Sequence, residues 1–498
     1  MSVFSAARLA PALPEDEAVT SEQLLHRARA GTRLMTARGA AMRGISIGAN
    51  LVLVALVTPR ELGLFAVVRG TLLISHMLCD LGIPRALLRR AGSPTGVEYA
   101  ALAGLHATIA VVIVAVCSFW PSVALGFGAL DIRWRWWMML TLGTALVLPF
   151  GTGARVRLQR SLAYERIAIA DVTGVLVQNV GLLLFAFARA FSEGVFVAVA
   201  AAIVITNGLL YRWSPGPLPK LDVGPLRSLM RQSSGFMVSS WLSSARESGT
   251  PVLIGKLFGL QVAGTWAFAV RLGQLLDVTF DGFRNATIPA SARLIHDRPA
   301  LRRLVTATLA GTSALATPIA GVTFVTLPIL AVIWPKWRAG IELAQVYLLC
   351  YAISGIVVAS LEAAVVATRG AVVMLAEHGS ALAAAWIGLL IVRSVGLHSL
   401  VWVVFLMSAA PALALLFLTD VTVRPEWNRQ LTRLAVSLVT GLTLYVVCGH
   451  LRAPPVPTAA IASAGILVWL RPVTRLRQMQ SVLGRMVRPG PRSRVVAT

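Results

Sequence analysis

Two apolar segments of this chain resemble each other: PRELGLFAVVRGTLLISHMLCDLGIP at residues 59–84 and GTWAFAVRLGQLLDVTFDGFRNATIP at residues 264–289. Each is long enough for a helix that crosses about 30 Å of hydrocarbon. A glycine precedes an arginine near the start of both, Gly63 before Arg69 and Gly264 before Arg271, and both segments end in Ile-Pro. They therefore predict an internal repeat of a membrane-spanning unit.

The composition of the whole chain agrees with a membrane location. Of the 498 residues, 57% are hydrophobic and only 13% are charged, and the mean hydropathy is +0.76. A water-soluble globule of this make-up lacks the polar residues to cover its surface. The composition thus excludes a cytosolic enzyme, a disordered chain and a disulfide scaffold, and predicts an all-α polytopic membrane protein.

The apolar runs define the predicted organisation. We count about 14 of them, and the second and eighth, which carry the repeat, are six apart, so both halves keep the same orientation. The expected architecture is two six-helix lobes plus two extra C-terminal helices. A cytoplasmic N-terminal segment (1–35) precedes the first lobe (36–211), and a cytoplasmic loop (212–234) connects it to the second lobe (235–420). The two extra helices (421–471) and a basic cytoplasmic tail (472–498) follow.

The positive charge indicates orientation rather than a nucleic-acid ligand. The net charge of +24 is scattered over short loops, whereas phosphate binding needs a contiguous basic surface. With 14 crossings both termini share one side, and about 32 of the 45 Lys and Arg residues fall on that side. Both termini are therefore predicted to be cytoplasmic, in a multi-pass protein of the cytoplasmic (inner) membrane.

Motifs for other chemistry are missing from the sequence. The four cysteines, Cys79, Cys117, Cys350 and Cys448, lie singly in apolar runs without metal-ligand spacing, so we expect buried thiols and neither a metal nor a cofactor. No Walker A loop or HExxH motif occurs, so the chain is not expected to be an enzyme.

Four predicted spans carry polar residues on one face. In the second span Arg69, His76 and Asp80 are spaced seven and four apart, which places them within about 40° of one face. Three other spans carry polar residues at similar spacing. They are Arg43, Ser46 and Asn50 in the first span; Ser239, Ser243, Arg246, Glu247 and Thr250 in the seventh; and Arg271, Gln274, Asp277, Asp281, Arg284 and Asn285 in the eighth. Since charges at membrane depth are costly, these faces predict a shared cavity between the two lobes.

The cavity is predicted to hold an anion, because guanidinium groups match phosphate oxygens bidentately. The candidate substrate-binding residues are Arg43, Arg69, Arg246, Arg271 and Arg284. In the alternative interpretation these arginines pair with acidic residues and only fix helix packing. The candidates for binding a coupling Na⁺ or H⁺ are Asp80, Glu247, Asp277 and Asp281, with Glu362 and Glu377 as further carboxylates.

Four short motifs resemble the polysaccharide flippases of the multidrug/oligosaccharidyl-lipid/polysaccharide exporter superfamily. They are TPRELGLF at 58–65, DLGI at 80–83, RSLAYER at 160–166 and IWPKWRAG at 333–340, and the likeness covers roughly residues 35 to 420. The resemblance implies two six-helix lobes that move a lipid-linked oligosaccharide (O-antigen or capsule type) by alternating access. It also implies cavity-facing cations at Arg43, Arg69, Arg246 and Arg271.

The function expected from these observations is a flippase for a polyprenyl-(pyro)phosphate-linked oligosaccharide in envelope or extracellular polysaccharide synthesis. Its partners would be that substrate, membrane lipids and a glycan polymerase or glycosyltransferases of the same pathway, and the protein is expected to be a monomer. Three alternatives stay open. The first is a cation-coupled drug antiporter, which should prefer an acidic cavity, and the second is a membrane-embedded glycan polymerase or glycosyltransferase, which needs a large outer loop. The third is a non-transporting scaffold of an envelope assembly complex.

Overall fold

The described part of the chain is almost entirely helical. The computed structural model describes residues 21–89, 94–277, 279–281, 283–284, 287, 291, 294–295, 297–369, 371–395 and 400–419. Within these ranges no β-strand occurs, and ten helices are long and apolar enough to cross a membrane. The predicted fold class, an all-α multi-pass membrane protein, is confirmed.

The described chain forms two compact units, Met1–Ala267 and Phe268–Thr498. The helices of the first unit are α1 (Ser21–Leu56), α2 (Pro59–Asp80), α3 (Ile83–Arg89), α4 (Gly96–Phe119), α5 (Pro121–Ala124), α6 (Arg135–Gly143), α7 (Leu148–Arg160), α8 (Tyr164–Phe187), α9 (Phe191–Trp213), α10 (Val223–Ser244) and α11 (Thr250–Phe258). A π-helical segment, Ala245–Gly249, joins α10 to α11. The helix α12 (Leu260–Gly273) begins in this unit and continues into the second.

Small and branched apolar side chains form the core of the first unit. The helix α8 packs along α9 and α1, and α2 packs along α11 and the π-helical segment. One buried cluster joins the end of α2 and α3 to α4, α7 and α10, around Ile83, Leu102 and Leu229. A second joins α7, α8 and α9 around Leu158 and Leu210. Burial of such side chains stabilises the helix contacts through close packing, which drives helix association within a membrane.

The second unit contains the rest of α12 and four long helices. These are α13 (Arg298–Ile333), α14 (Arg338–Arg369), α15 (Ala371–Val395) and α16 (Leu400–Leu418). Their shared core includes Leu304, Val358, Leu361 and Leu415, each at most 4% exposed. Between α12 and α13 the described residues Asp277, Asp281 and Arg284 remain helical. The extra helices predicted at 421–471 and the basic tail at 472–498 lie outside the described residues.

The helix ends differ by a few residues from the ends of the predicted spans. The sequence ends the second span at Pro84, but α2 ends at Asp80, because Leu81 and Gly82 adopt positive φ angles of 44° and 70°. Pro84 instead sits in the first turn of α3, where its missing N–H costs nothing. The predicted cytoplasmic loop at 212–234 is helical from Val223. The described residues of the predicted seventh and eighth spans are helical, and neither span is among the ten long apolar helices of the described chain.

The described cysteines agree with the thiol prediction. Cys79 and Cys117 are buried and Cys350 is half-buried, all three as free thiols. Cys79 packs between Ala110 and Ala145, which is the environment of a small hydrophobic side chain. Cys448 lies outside the described residues.

Candidate functional site

The start of α2 is fixed by a capping box. Thr58 accepts a hydrogen bond at its hydroxyl from the Glu61 backbone N–H (3.3 Å), and the Thr58 N–H donates to the Glu61 carboxylate (2.7 Å). Pro59 occupies the first helical position, where its fixed φ favours the helix. These contacts set the direction in which α2 leaves the loop, and hence where its polar face lies.

Arg69 is an exposed cation in the middle of α2. Its side chain is exposed although Val67 and Val68 are fully buried and Gly70 is buried. The guanidinium carbon lies 6.0 Å from the centre of the Phe65 ring, and the described structure contains no hydrogen bond or ion pair from this guanidinium. An arginine facing hydrocarbon would be costly, so the open space beside it must admit water or a polar ligand.

Gly70 brings Arg69 next to the π-helical segment. A Cβ at Gly70 would lie 2.5 Å from the carbonyl oxygen of Ser248 and 2.8 Å from a methyl carbon of Val252. Only a glycine permits this close approach. Glu247, one residue before Ser248, interacts electrostatically with Arg69.

The π-helical segment holds the second arginine of the group. Arg246 Nη2 donates to Glu247 Oε1 at 3.1 Å, and the Ser243 hydroxyl donates to the same oxygen at 3.3 Å. Pro251 follows the segment; it has no N–H to donate and its ring opposes the carbonyl four residues earlier, which favours the widened turn. The side chain of Glu247 is 62% exposed and that of Arg246 24%.

These residues form a cationic cluster, defined as Arg69, Ser243, Arg246 and Glu247. Two guanidinium groups oppose one carboxylate, so the cluster carries one net positive charge. One of its guanidinium groups, on Arg69, is not held by a hydrogen bond in the described structure. The arrangement is therefore suited to an anion such as a phosphate, which would bring Arg69 and Arg246 together.

For the remaining candidates of the first unit the structure gives their place on the helices. Arg43 is half-buried on α1, and His76 is half-buried on α2. Asp80 is the last residue of α2, and its side chain lies outside the description. The predicted roles of these residues stay predictions.

The candidates of the second unit form a network with carboxylates. Arg284 Nε lies 2.8 Å from Glu362 Oε2, and Arg284 Nη1 lies 3.6 Å from Asp281 Oδ1. The Tyr351 hydroxyl donates a hydrogen bond to Asp277, and its ring stacks on Tyr347 at 5.4 Å.

This geometry is that of a packed ionic network. Arg284 is engaged by two carboxylates, and Glu362 is only 13% exposed. Arg271 is half-buried on α12. The sequence proposed two roles for Arg284, an anion ligand or a pairing partner of Asp281, and the pairing exists.

The sequence missed an ionic triad in the first unit. Asp171 of α8 accepts hydrogen bonds from Arg38 of α1 (2.7 Å) and from Arg155 of α7 (2.5 and 3.1 Å). Its side chain is 10% exposed. The sequence does contain one indication of this triad, because Asp171 is an acidic residue within a predicted membrane span. Its arginine partners could not be chosen, because they are 133 and 16 residues away in the chain.

Several arginines that the sequence assigned to orientation also make specific contacts. Arg157 donates to the hydroxyl and the carbonyl of Ser214 and lies 5.1 Å from the Tyr99 ring centre. Arg160 donates to the Leu87 carbonyl at 2.9 Å. They bond carbonyls near the ends of α9 and α3, where helices leave acceptors unpaired.

Comparison with known proteins defines the class. The chain matches the family model Polysacc_synt_3, described as "Polysaccharide biosynthesis protein", over residues 52–340. The protein therefore belongs to this polysaccharide biosynthesis family, as the sequence motifs predicted. No curated protein matches the chain in sequence.

Two solved structures share the fold. The chain resembles the lipid II flippase MurJ in an inward closed conformation, with a TM-score of 0.68 and 10% identity over 89% of this chain and 100% of MurJ. It also resembles an inward-facing multidrug resistance MATE family transporter of the MOP superfamily, with a TM-score of 0.54 and 15% identity over 80% of this chain and 95% of the other. The chain thus has the fold of this transporter superfamily.

Proposed function

We propose that the protein is a flippase that moves a polyprenyl-(pyro)phosphate-linked oligosaccharide across the cytoplasmic membrane by alternating access. The observation that carries the proposal is Arg69, an exposed guanidinium in the middle of α2 that interacts electrostatically with Glu247 and makes no hydrogen bond in the described structure. The polysaccharide biosynthesis family supports the glycan, and the likeness to MurJ supports the transport mode.

The proposed mechanism requires no chemical step. Arg69 and Arg246 replace part of the water around the diphosphate with fixed donors, while the lipid chain stays in the bilayer. Glu247 holds Arg246 until the anion arrives and limits the resting charge of the cluster. Exchange between two packings of the helices then changes the side of the membrane to which the cluster opens.

The proposal includes location and partners. The protein would lie in the cytoplasmic membrane with both termini cytoplasmic, as a monomer that works beside a glycan polymerase or glycosyltransferases and is not itself an enzyme. Fusion of a cytoplasm-active or a periplasm-active reporter to each terminus tests the orientation. Activity of the periplasm-active reporter at either terminus would contradict it.

A cation-coupled antiporter of small molecules is the second candidate. The exposed carboxylate of Glu247 favours it, because a carboxylate beside guanidinium groups can exchange a cation. The net positive charge of the cationic cluster disfavours it, since a cationic drug would be repelled there.

The test is leaflet exposure of the lipid-linked oligosaccharide in cells depleted of the protein and complemented at matched expression. Arg69→Ala should slow flipping about 10- to 100-fold, because a charge-assisted contact is worth roughly 1.5–3 kcal/mol. Arg69→Lys keeps the positive charge but loses the two parallel donors of the guanidinium. Its flipping rate should therefore lie between those of Arg69→Ala and the wild type.

The matched control is Arg133→Ala. Arg133 is an arginine of the same unit whose side chain is 62% exposed and lies 3.7 Å from Asp131. The Arg133→Ala protein should flip the lipid-linked oligosaccharide at the wild-type rate. If depletion leaves leaflet exposure unchanged, or if Arg69→Ala and Arg133→Ala behave alike, the proposed flippase role of this cluster is wrong.

A further inference from the structure

A proline-rich segment of the first unit connects α9 to α10. We name residues 214–222 the strap; it contains neither helix nor strand. Pro215, Pro217 and Pro219 occupy alternate positions within it, so three of its residues lack a backbone N–H. A backbone with few donors in need of a partner is suited to a place where little water is present.

Contacts at both ends fix the path of the strap. Arg157 donates to Ser214, as described above, and a Cβ at Gly216 would lie 2.5 Å from the guanidinium nitrogens of Arg157. At the other end the Asp222 carboxylate accepts a hydrogen bond from the Gly224 N–H at 3.1 Å and caps α10. The strap is therefore held in place between two helices.

The second half of the strap packs against the side of α4. The Lys220 N–H donates to the Ala100 carbonyl at 3.0 Å, and a Cβ at Gly104 would lie 2.5 Å from the Lys220 carbonyl oxygen. Ala100 and Gly104 lie about 6 Å and 12 Å along the helix from Gly96, the first residue of α4. Since α4 has 24 residues, its length exceeds a hydrocarbon core of about 30 Å by only about 6 Å. The strap thus lies at the depth where headgroups meet acyl chains.

Three apolar side chains of this region are exposed. Leu218 is 76% exposed, Leu221 is 55% exposed, and Val223, the first residue of α10, is 70% exposed. A connection surrounded by water does not usually present three large apolar side chains within six residues. Contact with acyl chains would remove this apolar surface from water.

Basic side chains flank the apolar ones. Arg212, Lys220 and Arg227 are exposed, and Asp222 is the acidic residue of this stretch. Three basic residues and one acidic residue give positions 212–227 a net charge of +2. Exposed apolar side chains among basic ones are typical of segments that lie on an anionic membrane surface.

We propose that the strap is a docking surface for anionic phospholipids of the cytoplasmic leaflet. The three exposed apolar side chains enter the boundary of the acyl chains, and the three basic side chains bind headgroup phosphates. The inference rests on the proposed orientation, which puts the α9–α10 connection on the cytoplasmic side. It does not depend on the transported substrate.

The first test measures the depth of the strap in a membrane. In a chain whose four native cysteines are replaced by alanine, Leu218→Cys carries a bimane label. The protein is reconstituted into vesicles of phosphatidylcholine and phosphatidylglycerol, with or without bromine on the acyl chains. Bromine should quench this label at least about twice as strongly as a label at Gly96→Cys, since Gly96 lies about 12 Å from Gly104 toward the cytoplasm.

Gly96→Cys is a matched control because Gly96 is exposed and a Cβ there meets no atom within 4 Å. Equal quenching of the two labels by bromine would overturn the proposal. A Leu218 label that aqueous iodide quenches as fully as the Gly96 label would also overturn it; this is the result expected if the strap is a docking surface for a cytoplasmic protein instead.

The second test measures the preference for anionic lipid. With bromine on one lipid at a time, phosphatidylglycerol should quench the Leu218 label about fivefold more per molecule than phosphatidylcholine, the effect of roughly one basic residue near the surface. Simultaneous replacement of Arg212, Lys220 and Arg227 by glutamine should abolish the preference. A label at Val111→Cys, on α4 and 56% exposed, should show none.

An absent preference at Leu218, or one that survives the three glutamines, would overturn the proposal. Neither test involves transport, so a failure of the flippase proposal would leave both results unchanged.

Discussion

Loss of the Asp171 carboxylate should destabilise the first unit. Asp171→Asn keeps the size of the side chain but removes the charge that holds Arg38 and Arg155, at 2.7 Å and 2.5 Å. The triad joins α1, α7 and α8, three helices that are otherwise connected by apolar packing. Two guanidinium groups would then face each other with an amide that can accept a hydrogen bond at one oxygen only.

The magnitude follows from burial. Removing one partner of a fully buried ion pair costs about 3–5 kcal/mol. Here the carboxylate is 10% exposed, but the arginines are 23% and 33% exposed, so solvent screens part of the loss. We expect about 2 kcal/mol, which is roughly 4–8 °C in the melting midpoint of a unit of this size.

The assay is thermal unfolding in detergent, followed by the loss of monodisperse protein on size exclusion. The control is Asp131→Asn, which removes a carboxylate that is 63% exposed and 3.7 Å from Arg133. That pair should contribute less than about 1 kcal/mol. If Asp171→Asn lowers the midpoint no more than Asp131→Asn does, the triad does not hold these helices together and the reasoning fails.

Three further predictions concern helix ends and the second unit. Thr58→Ala removes the capping box and should cost about 1 kcal/mol in the same thermal assay, with Thr58→Ser close to wild type as the check. Arg157→Lys replaces the planar guanidinium that donates to the hydroxyl and the carbonyl of Ser214 with a shorter, more flexible ammonium, and should therefore increase proteolytic cleavage of the 214–222 connection; unchanged cleavage would contradict this. Glu362→Gln removes the carboxylate nearest to Arg284 and should lower the melting midpoint while leaving leaflet exposure of lipid-linked oligosaccharide unchanged; loss of flipping in stable protein would instead favour a direct role in transport.

The candidate site was partly accessible from the sequence. Charged residues at helical spacing within apolar runs identified Arg69, Arg246 and Glu247, because a charge at membrane depth needs a reason to be there. The sequence could not separate Arg69, which is exposed and lacks a hydrogen bond in the described structure, from Arg284, which two carboxylates engage. That difference depends on Glu362, 78 residues further along the chain and on another helix.

The boundaries missed by the sequence have local causes. Pro84 suggests an end to the second span, yet the turn lies at Leu81 and Gly82 and the proline starts the next helix. A proline is compatible with both positions, since only its fixed φ and missing N–H are read from the sequence. The π-helical segment at Arg246 and Glu247 likewise follows from Pro251 only when the surrounding helix is present.

By itself, the sequence determined the class of the protein: its hydrophobic content, the length of its apolar runs and the repeat around Gly63 and Gly264 specify a helical, multi-pass membrane protein with an internal repeat. These properties follow from composition and periodicity, which are local or additive along the chain. Tertiary structure alone decided that the two repeated glycines touch, that Arg38 and Arg155 share Asp171, and that Arg69 remains exposed. Such contacts join residues far apart in the chain, and their geometry depends on how closely the helix backbones approach, which no pattern within one helix specifies.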